Sequence, residues 1–186
     1  MALFYFIRHG QPDYSGLESH GFFGFGRAFA PLSPQGIVQA EAAARDPRLK
    51  NAEFIVSSPY TRALQTAQII SRETGLPVAV DLDLHEWMPD RTNQLASGQE
   101  SAALAEEFSR FRGVYPQGQT MRWEQLDHMR ERMRRIADRY ADHDCVIFVG
   151  HGMAFRALAP IEKMAPAEIF EYRYIRGIPD CEYHFE

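Results

Sequence analysis

Cysteine is scarce: the 186 residues contain two, Cys145 and Cys181. They are too few for a disulfide framework and lack the C-x-x-C pairing of a zinc site. A basic surplus is missing too, since 20 Lys and Arg face 25 Asp and Glu for a formal charge of −5. That balance argues against a dedicated nucleic-acid binder, which usually carries a basic stripe. No apolar run approaches the roughly 18–20 residues a membrane span needs. The opening MALFYFIRHG has no basic residue ahead of its short apolar stretch and no small-residue cleavage site, so it does not read as a signal peptide. Repeats and low-complexity segments are absent as well. With 45% hydrophobic and 24% charged residues, the composition is that of a globular chain able to bury its own core. The expectation is a soluble, cytoplasmic protein with residues 1–186 as a single domain.

Short apolar runs alternate with helical signals. Leu3–Ile7 reads as a buried strand that stops at Arg8-His9-Gly10. Residues 10–32 hold too many glycines and prolines for a regular element. Ser33-Pro34 reads as an N-cap followed by proline at the first helical position, with the helix running to about Asp46. Glu53–Ser57 is a second strand. Ser58-Pro59 repeats the cap-and-proline signal for a helix lined by Ala63, Ala67 and Ile70 up to Gly75. Pro77–Val80 is a short third strand, and Glu100–Arg112 a helix. Met121–Tyr140 is the clearest helix, because Leu126, Met129, Met133, Ile136 and Tyr140 step by three and four. Cys145–Val149 is a fully apolar strand with Cys145 as a buried small residue, and Gly150-His151-Gly152 and another helix follow it. Phe170–Ile175 and Glu182–Phe185 read as late edge strands. This alternation predicts an α/β fold, a three-layer α/β/α sandwich with a mainly parallel central sheet and helices on both faces.

Ligands of such sheets bind beyond the carboxyl ends of the strands. His9 and His151 each follow a central strand, so both are expected on one rim. Taken alone, Arg8-His9-Gly10 fits a nucleophile or base beside an anion site, and equally a histidine with a satisfied hydrogen bond at a strand end. His151 between two glycines strengthens the first reading, because glycine lets backbone approach a ligand closely. Arg62, one turn into the helix after Ser58-Pro59, adds a guanidinium where a helix N-terminus already favours anions. Two arginines and two histidines on one rim would form a phosphate pocket.

The ordered segments FIRHGQP, PLSPQGIVQA, IVSSPYTRALQTAQII, LHEW and VIFVGHGMAFRAL resemble the histidine phosphatase superfamily, the phosphoglycerate-mutase-like proteins. The resemblance runs from residue 4 to about 158. It implies that His9 is the nucleophile that becomes transiently phosphorylated. It also implies that Arg8 and Arg62 grip the phosphoryl oxygens and that His151 is the pocket's second histidine. Glu86 takes the place of the acid that protonates the leaving oxygen. No cofactor or metal is implied, and the sequence has no H-E-x-x-H motif. Two departures stand out. Gln11-Pro12-Asp13 follows the RHG where the family often has Glu-Thr or Glu-Ser and a nearby Asn, leaving Gln11 as the phosphate donor there. Trp87-Met88-Pro89-Asp90 replaces a frequent Gly-x-Trp-x-Gly.

Other residues have plainer readings. Ser57 and Ser58 can reach a phosphate, although Ser58 is more simply an N-cap. Phe22, Phe23, Phe25 and Phe29, near His20 and Arg27, form either a lid or an anchor for their long loop; four phenylalanines rarely all face solvent, which favours the anchor. Arg130, Arg132, Arg134, Arg135 and Arg139 alternate with acids, as on a solvated helix face. His85 precedes Glu86 and could tune it, with a surface position as the default, and His128, His143 and His184 have no identifiable partners.

Three functions fit this set. The foremost is a metal-independent phosphatase acting on a small phosphomonoester through phospho-His9. A phosphomutase ranks lower, because the segment between Glu86 and the Met121 helix leaves little room to retain a substrate. The third is a phosphoprotein (phosphohistidine) phosphatase or binding module. The residues expected to choose the substrate lie in loops 10–32 and 87–120, and oligomeric state is open.

Overall fold

A computed structural model describes residues 1–185. Five strands form one sheet: β1 (Ala2–Arg8), β2 (Phe54–Ser57), β3 (Val78–Val80), β4 (Cys145–Gly150) and β5 (Ile169–Tyr174). Their order is β3-β2-β4-β1-β5. The first four run parallel, and β5 closes one edge antiparallel to β1. Side chains alternate across the sheet with the strand period of two. Phe4, Phe6, Val56, Val146 and Phe148 therefore fill one core, while Tyr5, Ile7, Ile55, Ile147 and Val149 fill the other. Helices α1 (Pro34–Ala44) and α2 (Thr61–Thr74) cover the second face through Ala44, Ala63, Ala67 and Ile70. The first face is covered by α3 (Gly98–Arg110), α4 (Leu126–Tyr140) and α5 (Gly152–Arg156), with Phe108, Met129, Met133, Ile136 and Phe155 packed inward. The result is the expected three-layer α/β/α sandwich. Among the described residues, no helix is long and apolar enough to cross a membrane.

Several local expectations are corrected. Helix α4 starts at Leu126 after Gln125, not at Met121, because Trp123 is buried in the core and its indole binds Glu107 at 2.9 Å. Ser58 is not the N-cap of α2. That helix starts at Thr61 after Tyr60, and the Ser58 hydroxyl is taken by a histidine. Glu182–Phe185 forms no strand; Tyr183 and Phe185 pack their rings on Phe108 instead. His143 does have a partner, Glu53 at 2.8 Å. The phenylalanine loop contains two short 3₁₀ turns, Glu18–His20 and Gly24–Phe29. Phe22, Phe25 and Phe29 are exposed there rather than anchored in a core.

The arginine run of α4 is solvated only in part. Arg132 is 3% exposed and makes a two-pronged pair with buried Glu124, at 2.7 and 3.1 Å. Its remaining nitrogen donates to the main-chain carbonyls of Asp83 and His85, at 2.6 and 2.7 Å. The Trp87 indole donates to the Glu124 carbonyl at 2.9 Å. The buried pair thus fixes the backbone on both sides of Glu86. His85, expected at the surface, is half-buried here, with Nδ1 against the Glu86 carbonyl at 2.7 Å. Removing one member of a buried pair strands the other's charge. Arg132→Met is expected to destabilise the fold by about 3–5 kcal/mol in denaturant unfolding. Arg132→Met with Glu124→Leu should recover most of that loss, and equal losses in both proteins would refute the account.

Candidate active site

Parallel pairing aligns the strand ends. Arg8, last in β1, lies opposite Gly150, last in β4, so His9 and His151 leave the sheet side by side. Backbone bonds hold this rim: the His9 amide donates to the Gly150 carbonyl at 3.0 Å, and the Ser58 amide to the Val149 carbonyl at 2.9 Å. The Gly10 turn then passes so close to α1 that a Cβ on Gly10 would overlap the Gly36 carbonyl, and one on Gly36 would overlap that of Gln11. From α2, Thr66 accepts the Gly10 amide at 3.1 Å while donating to the Arg62 carbonyl at 2.8 Å. Thr66 is a site residue that sequence reading passed over. Its signal was present, because it stands four residues after Arg62, on the same helix face.

The hydrogen bonds assign the imidazole tautomers. Arg62 Nε donates to His9 Nε2 at 3.1 Å, so the proton sits on Nδ1, which bonds the Gly10 carbonyl at 2.7 Å. Arg62 Nη2 faces His151 Nδ1 at 3.4 Å, leaving Nε2–H of His151 to donate to the Ser58 hydroxyl at 2.8 Å. The third guanidinium nitrogen donates to the Arg27 carbonyl at 3.1 Å. The two imidazole centroids lie 5.1 Å apart. Arg8 donates through Nη1 to the Met164 carbonyl, while its Nε is buried without a partner.

Burial and the neighbouring guanidiniums keep both imidazoles neutral. His9 is pushed down to about 3, first by burial and then by Arg62, with Arg8 adding to the effect. His151 lies well below the usual range for the same reasons, burial first and Arg62 second. Burial, reinforced by the charge of Glu86, raises the Tyr60 phenol to about 12.

Glu86 and Arg62 line one cavity of about 180 Å³ together with Tyr14, Phe25, Arg27, Tyr60, Trp87 and Asp90. The Glu86 carboxylate accepts the Trp87 amide at 2.9 Å and the Ala154 and Met153 amides at 3.1 and 3.4 Å, so it sits over the start of α5. Of the residues singled out from the sequence, His9, Ser58, Arg62 and His151 form one hydrogen-bonded cluster, Arg8 adds its charge beside His9, and Glu86 shares a cavity with Arg62. Gln11 stays at the periphery: its side chain is exposed, and its amide is held by Gln39 at 2.8 Å. Among the described residues, no group of three or more His, Cys, Asp or Glu is disposed to hold a metal ion.

The profile of the Histidine phosphatase superfamily (branch 1) matches residues 4–175, and the chain belongs to that superfamily. A protein of Hydrogenobacter thermophilus named "Putative phosphoserine phosphatase 2" is 40% identical over 86 residues, which is 46% of this chain and 40% of that protein's own length. "Uncharacterized phosphatase PhoE" of Bacillus subtilis is 28% identical over 153 residues, 82% of this chain and 72% of that protein. Among solved structures, the native mycobacterial glucosyl-3-phosphoglycerate phosphatase superposes with a TM-score of 0.68 at 26% identity, covering 92% of this chain and 89% of that one.

The buried neutral histidines carry a consequence for stability. Both titrate below the ordinary value of 6.5. Between pH 6.5 and about 3, the unfolded chain therefore takes up protons that the native state refuses, and stability falls as pH falls through that window. Urea midpoints measured from pH 7 to 4 are expected to decline for the wild type. They should decline less steeply for His9→Asn, whereas parallel profiles would contradict a neutral buried His9.

Proposed function

We propose that this protein is a phosphatase that hydrolyses a small phosphomonoester through a phosphohistidine formed on His9. The reading rests above all on the state of that imidazole. It is neutral, its Nδ1 is tied to the Gly10 carbonyl, and its Nε2 lone pair points at the Arg62 guanidinium. Such a group is a nucleophile aimed at an anion site, and it needs no base to activate it.

When substrate arrives, Arg62 gives up its bond to His9 Nε2 and, with Arg8, takes the phosphoryl oxygens. The unpartnered Arg8 Nε is a donor available for this purpose. Phosphoryl transfer depends mostly on positioning and on stabilising charge over the equatorial oxygens, which the two guanidiniums supply without a metal ion. His9 Nε2 attacks phosphorus, the ester P–O bond breaks, and Glu86 in its protonated form gives its proton to the departing alkoxide. Water then attacks the phosphohistidine, Glu86 takes a proton from it, and inorganic phosphate leaves with His9 restored. His151, held by Ser58 and beside Arg62, positions the clamp. Relatives named for phosphoserine and for glucosyl-3-phosphoglycerate support a small phosphorylated metabolite as substrate.

Release of phosphate from 4-nitrophenyl phosphate and from alkyl phosphates tests this division of labour. His9→Ala should abolish release from both, and a chelator should leave the wild type unaffected. Glu86→Gln should lower kcat/KM for alkyl esters by about 10²–10⁴, the usual worth of a general acid. The loss should be far smaller for 4-nitrophenyl phosphate, whose leaving group needs no proton. Equal losses on both esters would remove Glu86 from the acid role, and His9-independent release would overturn the mechanism.

A further inference from the structure

The cavity beside the histidines holds one cation that the phosphoryl chemistry does not use. Arg27, in the Gly24–Phe29 turn, lines that cavity together with Arg62 and Glu86. Its guanidinium lies on the face of Tyr14, 4.0 Å from the ring centroid, so the charge is held in place by stacking. Among the described residues, no carboxylate lies within ion-pair distance of it.

The two acids of the same cavity are committed elsewhere. Asp90 is 6% exposed and is held by Arg122 at 2.7 and 3.2 Å, by the Thr92 amide and hydroxyl at 2.8 and 2.6 Å, and by the Gln94 amide at 2.7 Å. Those donors keep its carboxyl far below the usual carboxylate range. Glu86 faces three main-chain amides. The cavity is therefore lined by two guanidiniums that neither of its acids pairs with, Arg62 of the proposed phosphoryl clamp and Arg27. The two residues are tied to each other through the backbone, since Arg62 Nη1 donates to the Arg27 carbonyl at 3.1 Å. Phe25, Tyr60, Trp87 and Met88 supply the apolar wall around them.

We infer that Arg27, stacked on Tyr14, is a specificity subsite for a second anionic group on the substrate's alcohol, a carboxylate or a further phosphate. The substrate class is then a compact phosphomonoester whose leaving group carries its own negative charge. This inference rests on the phosphatase reading and extends it from the phosphoryl group to the alcohol. The transferred phosphoryl group takes Arg8 and Arg62, the second anion takes Arg27, and the carbon frame between them lies against the aromatic wall.

Equilibrium binding to His9→Ala protein, which cannot turn ligand over, reads the subsite independently of catalysis. The probes are 3-phosphoglycerate and glycerol 3-phosphate, which differ in a carboxylate against a hydroxymethyl group. A charge-assisted hydrogen bond in a partly desolvated site supports a preference of about tenfold or more for the carboxylate ligand. Arg27→Gln in the same background should collapse that ratio towards one, and Arg27→Glu should invert it. Glycerol 1,3-bisphosphate, compared with glycerol 3-phosphate, provides the phosphate arm and shows which second anion the subsite prefers. Equal binding of charged and neutral ligands, or a preference that survives Arg27→Gln, overturns the inference. Absence of binding by all three ligands also overturns it when the wild type still hydrolyses 4-nitrophenyl phosphate. If that hydrolysis fails as well, the phosphatase reading falls together with the subsite.

Discussion

The register between β1 and β4 determines the rest of the molecule. With Arg8 opposite Gly150, both strands end at the same height, and two histidines separated by 142 positions in sequence come within 5.1 Å, centroid to centroid. Because side chains alternate, the same register sends Phe4, Phe6, Val146 and Phe148 into one core and Tyr5, Ile7, Ile147 and Val149 into the other. A slip of one residue would invert both cores and separate the two imidazoles. Core and site are therefore specified together. The rim can be irregular and polar because the strands beneath it are not.

At that rim, neutral imidazoles lie beside guanidinium charge. Burial alone disfavours a charged imidazole, and Arg62, hydrogen-bonded to His9, disfavours it further. A phosphoryl dianion would reverse the local balance, satisfying the arginines and drawing Arg62 away from the imidazole lone pair. In the proposed mechanism, the contact that protects the nucleophile in the free protein is the one that substrate replaces. Glu86 is held independently. Its backbone is fixed from α4 through Arg132 and Glu124, and its carboxylate by the amides that open α5. Arg62, from α2, and Glu86, held from the α4 and α5 side, thus come from opposite faces of the sheet and meet in one cavity.

What was legible in the sequence follows the strength of the local signals. The apolar runs of β1, β2 and β4, the three-and-four spacing in α4 and the glycines after the strands were sufficient to place Arg8, His9, Arg62 and His151 on one rim. Side chains recruited from a distance were not legible. Ser58 had the sequence of a helix cap, but His151, 93 residues away, takes its hydroxyl. Arg132 was one of five arginines in a mixed-charge run, and only the third dimension gives it Glu124 and two carbonyls. Tyr183 and Phe185 have the aromatic content of a strand, yet their rings pack against Phe108. The phenylalanines of loop 10–32 were expected to anchor it, whereas Phe22, Phe25 and Phe29 stay exposed and Phe25 lines the cavity.

The central claim is that His9 carries the phosphoryl group between the two half-reactions. Rapid mixing of the protein with a ³²P-labelled phosphomonoester, followed by an alkaline quench and peptide mapping, tests it most directly. The account predicts a labelled peptide containing His9, with label that survives alkali and is lost in acid, as a phosphoramidate bond requires. Label on a different residue, or label that persists in His9→Ala, would contradict it.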